Sequence, residues 1–159
     1  RATALTSASL FLIVIGATMF ANFVVQTRLP NLLIAAAQDW NLTPLMVMAI
    51  IILLYVVLGC FLEGIGMVLI TVPVFLPVIT DFGYDPLWFG IIVVIVVELG
   101  LITPPVGLNV FVINSVVGRE IQVHTIFFGI MKFLVLDIVV LLALLAFPIL
   151  SLGLPSLMF

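Results

Sequence analysis

The chain has 159 residues, 66% of them hydrophobic and 7% charged, with a net charge of −3. Soluble domains carry about 25% charged residues, so this composition excludes a water-soluble globular protein and predicts an integral membrane protein. The apolar runs are continuous rather than alternating, which predicts helices and excludes a β-barrel. No basic stretch suits nucleic acid. No hydrolase, kinase or redox motif, metal-ligand cluster or phosphate-binding glycine loop occurs, so no enzyme is expected. Cys60 stands alone in an apolar run and reads as a small buried hydrophobe. The chain begins at Arg1 and reads as part of a longer polypeptide.

The first apolar segment, Leu5 to Val25, has roughly the 20 residues that a bilayer core requires. Arg28 and Pro30 stop it. Leu29, Leu32, Leu33 and Ala36 then recur at helical spacing among Asn31, Gln38 and Asp39. This predicts a short amphipathic helix, Arg28 to Asp39, lying at the membrane surface with Trp40 as an interfacial anchor. Thr43 and Pro44 then open a new helix as cap and first-turn residue.

From Leu45 to Ile79 the chain is too long and too broken for one span. It is either two spans with a minimal turn or a re-entrant hairpin, and the short Gly66 to Ile79 half favours the hairpin. Its tip is the "EGIG" of Glu63 to Gly66, and Pro73 and Pro77 bend the returning arm. Leu87 to Leu101 and Leu108 to Val117 flank "ITPPVG" and together form one discontinuous crossing. Ile126 to Leu150 is the last span. The positive-inside rule places Arg1 and Arg119 in the cytoplasm and the open end of the hairpin outside, with Arg28 as the exception.

A helix break in lipid leaves backbone groups without partners, at several kcal/mol each. The half-helix ending near Ile102 offers carbonyl oxygens and a negative dipole end. The half-helix starting near Val106 offers amides and a positive end. Such breaks hold ions and substrates in secondary transporters. Thr103 adds a hydroxyl, Asn109 an amide, and Gly107 lets the backbone turn. Glu63 would be costly inside the membrane without a purpose, and with Gly64 and Gly66 it offers oxygen ligands for a hard cation. If the segment is two spans, Glu63 is a loop residue at the interface. Glu98 is expected to support the break or serve structurally, His124 to lie at the interface, and Lys132 and Asp137 to pair helices or snorkel.

The motifs Gly59-x3-Glu63-Gly64, Pro73-x3-Pro77, Gly83-x-Asp85-Pro86-x-x-Phe89-Gly90 and Gly100-x-x-Thr103-Pro104-Pro105-x-Gly107-x-Asn109 resemble a known family. It is the DctM-like large membrane subunit of tripartite ATP-independent periplasmic (TRAP) transporters, within the ion transporter superfamily. The part that matches is the C-terminal half, over essentially the whole chain. The resemblance implies an all-α polytopic membrane fold and an elevator-type transporter. Each inverted repeat there has a re-entrant hairpin and a discontinuous transmembrane helix, and this chain corresponds to the second. Residues 1–43 would be a scaffold helix and arm, 44–118 part of the transport domain with hairpin 44–81 and broken helix 86–118, and 119–159 a terminal arm and helix.

It also implies Na⁺ as coupling ion, at a site drawn from Glu63, Gly64, Gly66, Ile102, Thr103 and Pro105. The Glu63 position is often Asp in relatives. Thr103, Pro104, Gly107 and Asn109 would face an organic acid such as a dicarboxylate or sialic acid. The implied partners are a periplasmic binding protein, a small DctQ-like membrane subunit and the N-terminal half of the permease. The implied location is the inner membrane of a bacterium or archaeon. The alternatives are a citrate carrier or Na⁺/H⁺ antiporter, and a non-transporting membrane scaffold.

Overall fold

The computed structural model describes residues 2–104, 107–117 and 122–158. Arg1, Pro105, Val106, Arg119 and Glu120, on which parts of the sequence reading rest, lie outside the described residues. The regular structure among those described is helical. Among the described residues, three helices are long and apolar enough to cross a membrane: Thr3–Gln26, Gly64–Asp81 and Val123–Ala146.

Helix α1, Ala2–Gln26, ends where Arg28 adopts a left-handed conformation at φ 54°. That turn redirects the chain into α2, Leu29–Asp39, with Pro30 in its first turn. Thr43 caps α3, Pro44–Gly59, by accepting from the Met46 amide at 3.4 Å. Four residues then join α3 to α4, Gly64–Asp81. The two arms form a helical hairpin, and α2 is fastened across its open end by Gln38 Nε2 donating to Asp81 Oδ2 at 3.5 Å. The returning arm is longer than the 14 or so residues expected from Gly66 to Ile79. It has 18, because Glu63 starts it early and it continues through Pro73 and Pro77.

Asp85 caps α5, Pro86–Ile102, with Oδ1 accepting from the amides of Leu87 and Trp88. Helix α5 is the centre of the fold, packing against both hairpin arms and against α7, Val123–Ala146. Its Trp88, Phe89, Ile92, Val93, Val96 and Val97 are all buried. Trp88 also donates its indole N–H to the Leu144 carbonyl at 3.0 Å, which fixes the start of α5 against the end of α7. After the break comes α6, Leu108–Val117. Pro148 ends α7 after Ala146, and the short α8, Ile149–Leu152, and α9, Pro155–Met158, follow.

Inside the hairpin, Tyr55 and Thr71 are buried and bonded, hydroxyl to hydroxyl, at 2.7 Å. Thr71 has one proton, and its oxygen also lies 2.7 Å from the Met67 carbonyl. Thr71 therefore donates to Met67 and accepts from Tyr55, so each hydroxyl is satisfied. By contrast α1 and α7 expose most of their apolar side chains, including Phe11, Leu12, Phe128 and Phe133.

Candidate functional site

Four helix ends converge where the hairpin tip meets the break. The end of α3 touches the end of α5 backbone to backbone: a Cβ on Gly59 would lie 2.9 Å from Gly100 Cα, and one on Gly100 would lie 2.7 Å from Gly59 Cα. Helices in lipid gain little from apolar association, so close backbone approach through small residues does the packing instead. The Cys60 thiol sits beside this contact. It donates to the Val56 carbonyl at 3.2 Å, with the carbonyls of Thr103 and Pro104 at 3.7 and 3.9 Å. Gly64, opening α4, faces the side chains of Val97 and Leu101.

The break has the geometry expected of opposed helix ends. Helix α5 stops at Ile102, and the Thr103 hydroxyl turns back to donate to the Leu99 carbonyl. This leaves a lone pair of the Thr103 oxygen for a further contact. Gly107 has φ +57°, a left-handed conformation that a side chain disfavours, and its carbonyl accepts the first α6 bond from Val110 at 2.8 Å. A Cβ there would lie 3.3 Å from the Ile102 carbonyl oxygen and 3.2 Å from the Phe127 ring. The carbonyl end of α5 therefore abuts the start of α6. Asn109 lies half-buried in the first turn of α6, and Pro104 is exposed beside the break.

Glu63 caps α4. Its Oε1 accepts from the Ile65 amide at 3.0 Å and its Oε2 from the Gly66 amide at 2.9 Å. An ionised carboxylate has about four lone-pair sites, so two contacts leave room for a cation. Gly64 and Gly66 belong to the first turn of α4, whose end presents amides rather than carbonyls, that of Gly66 already taken by Glu63. The free oxygens of the tip come from the residues just before them. Among the described residues, no group donates to the carbonyls of Cys60, Phe61 or Leu62. The sequence reading placed the tip at Glu63 to Gly66 and missed these three.

Glu98 is exposed and shares with Glu63, Gly64, Val97 and Leu101 an open cleft of about 440 Å³ between α4 and α5. His124 stands apart at the start of α7, edge-on to Phe128. Lys132 is exposed and Asp137 half-buried, both on α7 and away from the cleft.

The level of the tip follows from its neighbour. The Cβ position of Gly66 is 3.8 Å from Ile13 Cγ2, near the middle of α1. Eleven residues of α1 precede Ile13, so about 16 Å of that helix extends past the hairpin tip at 1.5 Å per residue.

The family described as "Tripartite ATP-independent periplasmic transporter, DctM component" matches residues 1–150. The chain belongs to this family. It is 35% identical over 112 residues to the C4-dicarboxylate TRAP transporter large permease protein DctM of Pseudomonas aeruginosa, covering 70% of this chain and 26% of that one. It is 34% identical to the sialic acid TRAP transporter large permease protein SiaM of Vibrio cholerae, covering 99% of this chain and 36% of that one. Against the isethionate TRAP transporter permease protein DctMQ of Oleidesulfovibrio alaskensis it is 32% identical over 74% of this chain and 18% of that one. The chain thus spans about a third or less of these relatives. They are transporter permeases and not enzymes.

Proposed function

We propose that this chain is the C-terminal half of the large permease subunit of a Na⁺-coupled importer of an organic acid, in a prokaryotic inner membrane. The observation that carries the proposal is the convergence of helix ends at the tip and break. The ends of α3 and α5 bring carbonyl oxygens and negative dipole ends together beside the Thr103 hydroxyl, and the Glu63 carboxylate caps α4 on the same hairpin tip. A small hard cation takes oxygen ligands of this kind. The start of α6, with Asn109 beside Gly107, brings amides suited to a substrate carboxylate.

The hairpin is re-entrant on this reading. Arm α3 has 16 residues, about 24 Å, against a hydrocarbon core of about 30 Å. The stretch of α1 beyond the tip supports the same depth. Hairpin and broken helix form the moving part of an elevator, braced by α1, α2 and α7. A periplasmic binding protein delivers the substrate, and a small membrane subunit and the N-terminal half complete the permease. The substrates named for the relatives, a C4-dicarboxylate, sialic acid and isethionate, are all anions that such amides suit. Family membership favours import over the antiporter and scaffold readings.

The test is uptake into proteoliposomes by the full-length complex with its binding protein, comparing wild type with Glu63→Gln under graded inward Na⁺ gradients. The amide keeps one acceptor for the cap and removes the charge. A raised Na⁺ requirement with normal assembly is expected, and an unaltered Na⁺ dependence would remove Glu63 from the cation site.

A further inference from the structure

We infer that Gly59 and Gly100 are positioning residues: their backbone contact sets the hairpin tip on the broken helix, and hence the spacing of the oxygens that hold the coupling ion. The inference rests on the cation site proposed above. Both glycines are buried, and they lie one and three residues from the groups they place. Cys60, next to Gly59, begins the run of unpartnered tip carbonyls, and Thr103 follows Gly100 by three residues at the break. No side chain intervenes between the two backbones, so the register depends on these positions having no Cβ.

Other small residues nearby are not held in this way. A Cβ on Gly64 would meet Val97 Cγ1 at 3.2 Å and Leu101 Cδ1 at 3.5 Å, side-chain ends that rotate aside. A Cβ on Gly90, also on α5, would meet nothing within 4 Å. At Gly59 and Gly100 the obstacle is backbone at 2.7 to 2.9 Å. Carbon atoms settle at about 3.5 to 4.0 Å, so one methyl must push the tip from the break by about 1 Å. A misplacement of about 1 Å costs on the order of a hundredfold at a centre that depends on preset geometry. The Cys60 thiol, 4% exposed and facing the Thr103 and Pro104 carbonyls, reports the same separation.

The experiment compares Gly100→Ala, Gly59→Ala and Gly90→Ala in the full-length permease, reconstituted with its binding protein. Its readouts are Na⁺ concentration for half-maximal uptake, maximal rate per assembled complex, and alkylation of Cys60 with other accessible cysteines replaced. Gly100→Ala and Gly59→Ala are expected to raise the half-maximal Na⁺ concentration at least about tenfold and to speed Cys60 alkylation, with Gly90→Ala matching wild type. Should either alanine variant fail to assemble, the other decides. Wild-type Na⁺ dependence and alkylation in an assembled Gly100→Ala complex overturns the inference. So does a loss confined to the amount assembled. Glu63→Gln run in parallel separates the two ideas. If it shifts the Na⁺ dependence while the glycine variants do not, the cation site stands and the positioning role falls. If the glycine variants speed alkylation while neither they nor Glu63→Gln move the Na⁺ dependence, the cation reading falls, and with it the role inferred here.

Discussion

The hydroxyl pair between the hairpin arms gives a sharp test of how the structure assigns its protons. Thr71 donates to the Met67 carbonyl and accepts from Tyr55, and both residues are at most 7% exposed. Tyr55→Phe removes the donor and strands nothing, since the Thr71 proton is already placed. Its cost is that of one hydrogen bond, about 0.5–1.5 kcal/mol in general and averaging about 0.6 kcal/mol between membrane helices. Thr71→Val preserves shape but leaves the Tyr55 hydroxyl buried without a partner, at about 1–3 kcal/mol. The single threonine change should therefore destabilise more than the single tyrosine change. The double variant, with no polar atom left to satisfy, should be more stable than Thr71→Val alone. The assay is SDS titration of the full-length permease in micelles, followed by circular dichroism as a double-mutant cycle. A larger loss from Tyr55→Phe, or strictly additive losses, would refute the proton assignment and the coupling of the two arms.

Two smaller effects follow from local geometry, alongside the uptake tests of Glu63→Gln and Gly100→Ala. Gly107→Ala must carry a Cβ at φ +57°, 3.2 Å from Phe127 and 3.3 Å from the Ile102 carbonyl. It should cost about 1–2 kcal/mol from the backbone alone and lower uptake, with Gly107→Asn milder in the same SDS titration. At the α4–α5 turn, burial pushes the Tyr84 phenol above its ordinary value near 10, and its ring stacks on Trp88 at 5.1 Å. A raised folded-state value means the neutral phenol is the form the fold prefers. Its contribution is therefore intact below the unfolded value and is lost as pH rises through the folded one. Tyr84→Phe should lose less stability than wild type between about pH 9 and 11. Equal alkaline losses would contradict that.

Most of the architecture was legible in local sequence. Thr43-Pro44 joins an oxygen cap to a first-turn proline, so the start of α3 fell where expected, while the matching cap that Asp85 gives α5 beside Pro86 is a finding of the structure. Pro104 and the left-handed Gly107 bracket the break for reasons local to the backbone. Glu63 was singled out for its charge, but its capping role was not visible. Glutamate is not among the usual capping residues, and "EGIG" suggested a turn rather than a helix start. The early start of α4, and the shift of the free tip carbonyls to Cys60–Leu62, follow from that one side chain.

The sequence by itself determined that the chain lives in a membrane, roughly where most of its helices lie, and that two of its segments are interrupted. Those properties depend on hydropathy and on backbone chemistry within a turn or two of each residue. Only the tertiary structure decided that the two interruptions meet. Gly59 and Gly100 are 41 positions apart, and in sequence each is an ordinary glycine near a helix end. Their contact exists because α5 packs along α3 at a level where neither backbone carries a side chain, and that packing brings the ends of α3 and α5 together at the hairpin tip that Glu63 caps.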